Sequence, residues 1–505
     1  MAMSLAQYFH DRTKYDPDTL EAKAKPLDWS RKPPSFKEFR TGETIDLKPY
    51  LREAVDVVTE GAIAQQWARL SKFLYCSYGL TARVDSWEGE PVFLRAAPSA
   101  GGLYPAEIYL VSAGTPVLRP GLFGYQPRTH SLVHYWSGDP WPRLLAACGE
   151  HPALRVTRVA IVVTAVFERS AWRYQDRAYR RVGLDTGHLL GNLDLAATLS
   201  DFRTCHWAGF ADKALNEVLF VDGEEEAALV AIALLDRQTN PPQTVAGYPT
   251  AWPSLGVASY PRLAEGHLLT YLHHASCLDH PPRWDAEVVL PPAADKYNFP
   301  FCQRVPMATA PLDWGPHGQE LESTLLRRRS TRAFRSEAMD LSELQALLHF
   351  TYQPESYGEA GLNPHPDFFA RESVSTFLAV TRVTGLEQGC YYYAPQANEL
   401  RQIRFSGFEQ ELHFLCLGQE LGRDAAVVIF HTANLEAAIA HWGERAYRYL
   451  HLDAGHLGQR LNLAAIRLGL GVSGIAGFFD DAVNEVLGIP ATEAVLYITV
   501  VGQPR

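Results

Sequence analysis

Apolar runs bounded by polar turns alternate along the chain with segments whose apolar residues recur at helical spacing. "AEIYLV" (106–111), "TRVAIVVTAVF" (157–167), "AAVVIFHTA" (425–433) and "AVLYITVVG" (494–502) each carry at most one Asp, Glu, Lys or Arg. Runs of that length and kind predict strands buried on both faces. "LDTGHLLGNLDLAATL" from Leu184 and "LDAGHLGQRLNLAAIRLGL" from Leu452 have helical periodicity and enough alanine to pack closely. "LSELQALLHF" (341–350) predicts a further helix, and "GEEEAA" (223–228) reads as a solvated helix start, its carboxylates suited to the helix dipole. Helices on both sides of a sheet give an α+β sandwich.

The pattern is written twice. "RAYRRVGLDTGHLLGNLDLAATLSDFRTCHWAGFADKALNEVL" from Arg177 matches "RAYRYLHLDAGHLGQRLNLAAIRLGLGVSGIAGFFDDAVNEVL" from Arg445 without a gap, at an offset of 268 (453 − 185, 478 − 210). "YQPRTHSL" at Tyr125 matches "YAPQANEL" at Tyr393, and "YFHDRTKYD" at Tyr8 faintly echoes "YLHHASCLD" at Tyr271. A period this long predicts duplicated domains rather than a solenoid. The expected boundaries are a first domain over 1–236 with an N-terminal extension, a proline-rich linker over 237–259 ("DRQTNPPQTVAGYPTAWPSLG"), and a second domain over 260–505. Two such halves would pack about a pseudo-twofold axis, the covalent form of a C2 dimer.

Length agrees: 505 residues exceed what one core usually supports. A net charge of −11, with no basic run longer than "RRRS", argues against nucleic acid and anionic membrane as partners. No apolar run approaches the roughly 20 residues needed to span a bilayer, and the start "MAMSLAQYFHDRTKYD" lacks a signal-peptide core. Seven scattered cysteines with no Cys-x-x-Cys fit a reducing cytoplasm. His267, His273, His274 and His280 cluster before "PPRW" in no metal-ligand spacing, so no metal is expected. His188 and His456, at one repeat position on apolar helices, read as satisfied core histidines.

Candidate chemistry lies in three places. Arg328, Arg329, Ser330 and Arg332 ("LLRRRSTRAF") group cationic donors and a hydroxyl near a helix start. Guanidinium suits phosphate, being always charged and bidentate, while the charges alone also fit a solvated basic helix end. "LGLGVSGIAGF" (468–478) has four glycines, at 469, 471, 474 and 477, which either let backbone N–H groups approach a ligand or cap a helix. "PSAGGLYPAEIYLV" (98–111) puts Gly101 and Gly102 beside Ser99 before a strand.

None of the three is duplicated. Opposite the arginines stand Val57, Val58, Thr59 and Gly61, and opposite "GLGVSGIAGF" stands "DFRTCHWAGF", with His206 and Trp207 in the glycine space. Opposite "PSAGGLYP" stands "DFFARESV". Each half lacks what the other keeps. Random decay would not sort the losses this way, so one composite site should survive and its twin be blank.

These motifs, with "WRYQDRAYRRVGLDTGH" and "GIAGFFDDAVNEVLG", resemble the nitroreductase-like flavoproteins, in particular the SagB-type dehydrogenase branch. The resemblance implies two tandem α+β domains, each with a mainly antiparallel sheet flanked by helices, and one FMN at the interface of the pseudo-dimer. It implies that Arg328, Arg329, Ser330 and Arg332 hold the FMN phosphate, helped by Arg505. Gly471, Gly474, Ile475 and Gly477 would lie by the isoalloxazine, and Pro98, Ser99, Ala100, Gly101 and Leu103 would reach in from the other half. Azoline-oxidising relatives carry Lys-Tyr in "W-K-Y-x-x-R-A-Y"; this chain has Arg173 and Tyr174 in "WRYQDRAY". Arginine is a poor general base. Tyr174 would donate or relay a proton and Arg173 would orient a carboxylate or carbonyl, a helix-end salt bridge being the plainer role for the pair.

The expectation is a cytoplasmic FMN-dependent oxidoreductase acting on a small or peptide-derived biosynthetic substrate, with O2 or another acceptor. The alternatives are an NAD(P)H-dependent nitro or quinone reductase and a non-catalytic flavin- or peptide-binding pseudo-enzyme.

Overall fold

The computed structural model describes residues 3–23, 25–51, 57–85, 91–238, 248–284 and 294–505. The first half is built on β1 (Glu43–Asp46), β2 (Ala106–Ser112), β3 (Gly121–Gln126), β4 (Ser131–Ser137), β5 (Val159–Val166), β6 (Phe202–Trp207) and β7 (Glu226–Asp236). They form one seven-stranded sheet in the order β1-β4-β3-β2-β5-β7-β6, every pair antiparallel. The second half repeats this with β8 (Arg304–Pro306), β9 (Val374–Val380), β10 (Gly389–Ala394), β11 (Glu399–Arg404), β12 (Val427–Asn434), β13 (Gly471–Ile475) and β14 (Glu493–Gly502). Its order is β8-β11-β10-β9-β12-β14-β13, again antiparallel throughout. Adding seven to each strand number turns one sheet into the other. The apolar runs occupy the inner strands β2, β5, β12 and β14, where both faces are covered.

The helices that matter here are α1 (Leu5–Arg12), α2 (Val57–Tyr78), α3 (Phe167–Tyr174), α4 (Ala178–Thr198), α5 (Asp212–Leu219), α6 (Leu435–Trp442), α7 (Ala446–Arg467) and α8 (Asp480–Leu487). Helices α4 and α7 are buried nearly end to end and pack on each other across the two halves. Glycines let them approach: side chains at Gly183, Gly187 and Gly191 would meet His451, Gly455 and Gln459 respectively. The helix predicted at 341–350 runs from Leu341 to Tyr352, started by a capping box of Asp340 and Glu343.

One local expectation fails. "GEEEAA" starts no helix: the Asp222 carboxylate accepts from the N–H groups of Glu224, Glu225 and Glu226, a turn that feeds β7. The residues that follow are apolar on both faces, so strand burial overrides the acidic start.

Each amino-terminal arm reaches the opposite half. Tyr15 N–H donates to Asp480 at the start of α8 (2.9 Å), and Leu278 N–H donates to Asp212 at the start of α5 (2.8 Å). Asp480 is clamped by Arg177 (2.7 Å) and Arg180 (2.6 Å), and Asp212 by Arg445 (2.6 Å) and Arg448 (3.0 Å). Of the proline-rich segment, 239–247 lies outside the described residues. Beyond it, Ala208 N–H donates to Thr250 O (2.7 Å), Trp252 N–H to the Tyr449 hydroxyl (3.1 Å) and Ser254 N–H to Trp442 O (3.0 Å).

Candidate active site

The loop before β2 is held by one carboxylate. Ser99 Oγ donates to Asp185 on α4 (2.5 Å), and Ala100 N–H donates to both carboxylate oxygens (3.1 and 3.2 Å). Ser99 Oγ in turn accepts from Tyr104 N–H (2.8 Å). Both hydrogen-bonding directions of the hydroxyl are therefore spent on the loop's shape. Gly101 and Gly102 have φ of 66° and 65°, a left-handed pair that explains the Gly-Gly. Burial pushes the Asp185 carboxyl up to about 7, against the pull of Ser99, Ala100 and Arg181. Leu103 is buried, Pro98 and Ala100 are half-buried, and Gly101 is exposed.

The arginine motif faces this loop from the second half, just after the helix Gln319–Arg327. Arg328 is buried, donating from Nε to Ala96 O (2.7 Å) and from Nη2 to Arg95 O (3.2 Å), while Nη1 has no acceptor. Burial, with repulsion from Arg329 and Arg332, draws its pKa down to about 10. Arg329 is not brought to the set, because it donates to Thr81 Oγ1 (3.1 Å) and O (2.9 Å). Ser330 is half-buried and Arg332 exposed, and neither has a hydrogen bond or ion pair among the described residues. Thr331 N–H donates to Val472 O (2.8 Å) and Val472 N–H to Thr331 Oγ1 (2.9 Å), tying the motif to β13. Arg505 N–H donates to Ala333 O (3.1 Å), so the C-terminus lies beside Arg332.

The four glycines divide by role. Gly469, with φ 78°, stops α7. A Cβ on Gly471 would come within 2.9 Å of Thr331, one on Gly474 would collide with the Tyr497 hydroxyl, and one on Gly477 would approach Leu417 at 3.1 Å. Part of their bareness thus serves protein packing. Ile475 is buried while Gly474 is exposed.

Behind Gly474 runs a chain that sequence pattern did not reveal. Tyr497 hydroxyl, His188 Nε2 and Nδ1, Gln459 and Asn192 are linked at 2.8, 2.7 and 2.5 Å, and Asn192 Nδ2 donates to Ser77 O (3.1 Å). Gln459 donates to Asn192, so its Oε1 accepts from His188 Nδ1–H and leaves Nε2 to accept from Tyr497. Burial lowers His188 to about 4, keeping it neutral. Its spacing from Asp185 on one face of α4 was the available signal.

Arg173 and Tyr174, at the end of α3, abut the loop: a Cβ on Gly101 would lie 2.9 Å from the Tyr174 hydroxyl and 3.5 Å from Arg173 Nη1. Arg173 makes no salt bridge among the described residues. Arg181 lies 3.8 Å over the Tyr174 ring, its buried Nη1 without an acceptor.

The pseudo-equivalent place in the other direction is filled. Asp453 accepts from Phe369 and Ala370 N–H, as Asp185 does from Ala100. Phe368 stacks on His456 at 4.5 Å, His206 N–H donates to Asp367 (2.9 Å), and Trp207 stacks on His151 at 4.2 Å. Thr250 hydrogen-bonds Phe368 O, bringing the proline-rich segment onto the same place. The side chains of Val57, Val58 and Thr59 lie outside the described residues; Gly61 kinks α2 with φ 77°.

The Nitroreductase family profile matches residues 53–234 and 325–503. A crystal structure of a nitroreductase homologue from Anabaena variabilis ATCC 29413 is 56% identical, covers 100% of both chains and superposes with a TM-score of 0.94. The nitroreductase-like protein MJ1384 of Methanocaldococcus jannaschii is 32% identical over 170 residues, 34% of this chain and 85% of its own length. The microcin B17-processing protein McbC of Escherichia coli is 28% identical over 142 residues, 27% of this chain and 52% of its own. The trifolitoxin-processing protein TfxF of Rhizobium leguminosarum bv. trifolii is 29% identical over 167 residues, 31% and 56%. The chain therefore spans about half the length of McbC and TfxF. With both halves matched by one profile and the same sheet order in each, the chain belongs to the nitroreductase family as two tandem copies of its fold.

Proposed function

We propose that the chain is an FMN-dependent oxidoreductase with one composite flavin site, formed by residues 97–104 of the first half and 328–332, 471–477 and Arg505 of the second. One observation carries this reading. Arg332 and the free Nη1 of Arg328 lack a counter-charge among the described residues, Arg328 donates into the strand end just before the Ser99–Asp185 loop, and the sequence has no arginine at the pseudo-equivalent positions 57–61. Buried guanidinium donors without acceptors call for an anion, and phosphate is the anion their geometry suits. Arg181 Nη1, also buried without an acceptor, adds a third donor near Gly477.

Bound there, FMN supplies two-electron redox chemistry. Arg328 and Arg332 hold the phosphate, Ser330 offers a hydroxyl, and the Asp185-braced loop presents a rigid wall. Arg329, committed to Thr81, braces the motif instead of binding the ligand. The Tyr174 hydroxyl gives or takes the substrate proton, and Arg173 orients a carbonyl or carboxylate. Matches to McbC and TfxF support a peptide-derived substrate. O2 or another acceptor would take up the two electrons removed from the substrate, and with NAD(P)H as donor the same site would reduce nitro or quinone compounds.

Flavin stoichiometry tests the proposal. The purified protein should hold about one FMN per chain; Arg332→Ala should lose it, and Asp453→Asn, at the filled twin, should keep it. Two per chain, or none after FMN is added, overturns the reading.

A further inference from the structure

A cavity of about 320 Å³ opens beside Arg173 and Tyr174, roofed from the amino-terminal arm by residues 12–15, Leu20, Lys25 and Leu27. The arm is pinned on both sides of it. Arg177 Nη1 donates to Thr13 O (2.7 Å) and Arg180 to Thr13 Oγ1 (2.8 Å). Further along, Trp172 Nε1 donates to Asp28 O (3.0 Å), with Trp29 packed edge-on against Trp172 at 5.3 Å. The roof is therefore built into the fold.

The charges lining the cavity do not cancel. Five cations face it, Arg12, Lys14, Lys25, Arg173 and Arg177, against the carboxylates Asp176 and Glu265. Asp176 is consumed by the N–H groups of Gly266 (2.6 Å) and Leu269 (3.0 Å). Arg12 is 4.0 Å from Glu265, Lys14 pairs with Asp11 and Asp481, and Arg177 pairs with Asp480. Lys25 and Arg173 remain, with no hydrogen bond or ion pair among the described residues. Leu20, Leu27 and Leu268 complete the lining as an apolar wall.

We propose that this cavity is a carboxylate subsite, in which Arg173 and Lys25 clamp the anionic end of a substrate whose apolar body lies along the leucines. It takes either a small N-acyl amino acid or the C-terminal carboxylate of a peptide. A planar guanidinium from α3 and a mobile ammonium from the arm suit the two oxygens of such a group. The subsite deepens the proposed function, because it rests on reading Arg173 and Tyr174 as the substrate side of the flavin site. It also explains why an arginine serves here: the position recognises charge and does not abstract a proton.

The test is calorimetric titration of the full-length protein, as purified and after flavin removal, with hippurate and its uncharged amide. Hippurate should bind once per chain, and the amide about tenfold more weakly or worse. Arg173→Gln and Lys25→Gln should each weaken hippurate about fivefold or more and the amide clearly less, with flavin content unchanged. A benzoylated tripeptide with a free carboxylate, bound as tightly as hippurate, assigns the peptide end; binding of hippurate alone assigns small acids. Equal binding of acid and amide, no hippurate binding, or wild-type affinity in both variants overturns the proposal. Flavin content is read separately by absorbance. A protein that never holds flavin therefore sinks the oxidoreductase reading without deciding the carboxylate subsite.

Discussion

Gly187 and Gly455 meet face to face at the pseudo-twofold axis. A Cβ built on Gly187 would lie 2.8 Å from the Gly455 Cα and collide with the Leu452 carbonyl, and one on Gly455 would collide with the Leu184 carbonyl. The relation is reciprocal, as an isologous contact requires, and it sets how closely α4 and α7 pack.

Gly187→Ala should therefore destabilise, although alanine favours a helix more than glycine. The obstacle is backbone, which cannot rotate away, so overpacking of about 1–3 kcal/mol should outweigh the propensity gain of about 1 kcal/mol. Gly455→Ala should behave alike. Urea unfolding midpoints at or above wild type for either variant would refute the close approach.

The swapped arms make a second symmetric prediction. Asp480 and Asp212 are buried, and their arginine pairs hold both carboxyls below the usual carboxylate range despite burial. Removing one carboxylate strands two buried guanidinium groups, so Asp480→Ala and Asp212→Ala should each cost about 3–5 kcal/mol. Denaturant unfolding reads this directly, and a loss under about 1 kcal/mol would contradict the buried pairing.

Acid should weaken the fold well before carboxylates are generally protonated. Burial lowers His130, His151 and His188 to about 4 and His206, His431 and His451 to about 3. Between about pH 6.5 and 4 the unfolded chain takes up protons that these folded histidines refuse, so stability falls as pH falls. Asp185, Asp367 and Asp453, raised by burial to about 7, act in the opposite sense, since the folded state binds their protons more readily over that window. Histidines outnumber aspartates. The net loss from pH 6.5 to 5 should be on the order of a few kcal/mol. Asp185→Asn should deepen that loss by removing one opposing group. A midpoint independent of pH over this range would show that the histidines are not buried as neutral groups.

Tyr497→Phe should leave His188 Nε2 without its donor and cost about 1–2 kcal/mol. His188→Phe, which also strands Gln459 and Tyr497, should cost more. Equal unfolding midpoints for wild type and both variants would dismiss the chain as incidental.

Much of the fold is legible in the residue string. The fixed offset between halves reveals the duplication because repetition is a property of the string itself. The inner strands can be read because burial on both faces demands uninterrupted apolar runs. The proposal of a single composite site comes from the string as well, because "RRRST" and "PSAGG" each occur once. The acidic run 223–228 misleads because helix-dipole preference is weak beside burial of the following strand.

The two-domain architecture, the family resemblance and which half keeps which motif are all present in the residue string, since they depend on residue identity and period along one chain. Packing in three dimensions is what makes Ser99 brace the loop through Asp185, turns Arg329 to Thr81 while Arg332 has no partner among the described residues, and brings Lys25 and Arg173 to the lining of one cavity. The reason is physical. A buried donor or acceptor takes its partner from whichever backbone packing brings near, and Arg328 and Ala96 lie far apart in the chain.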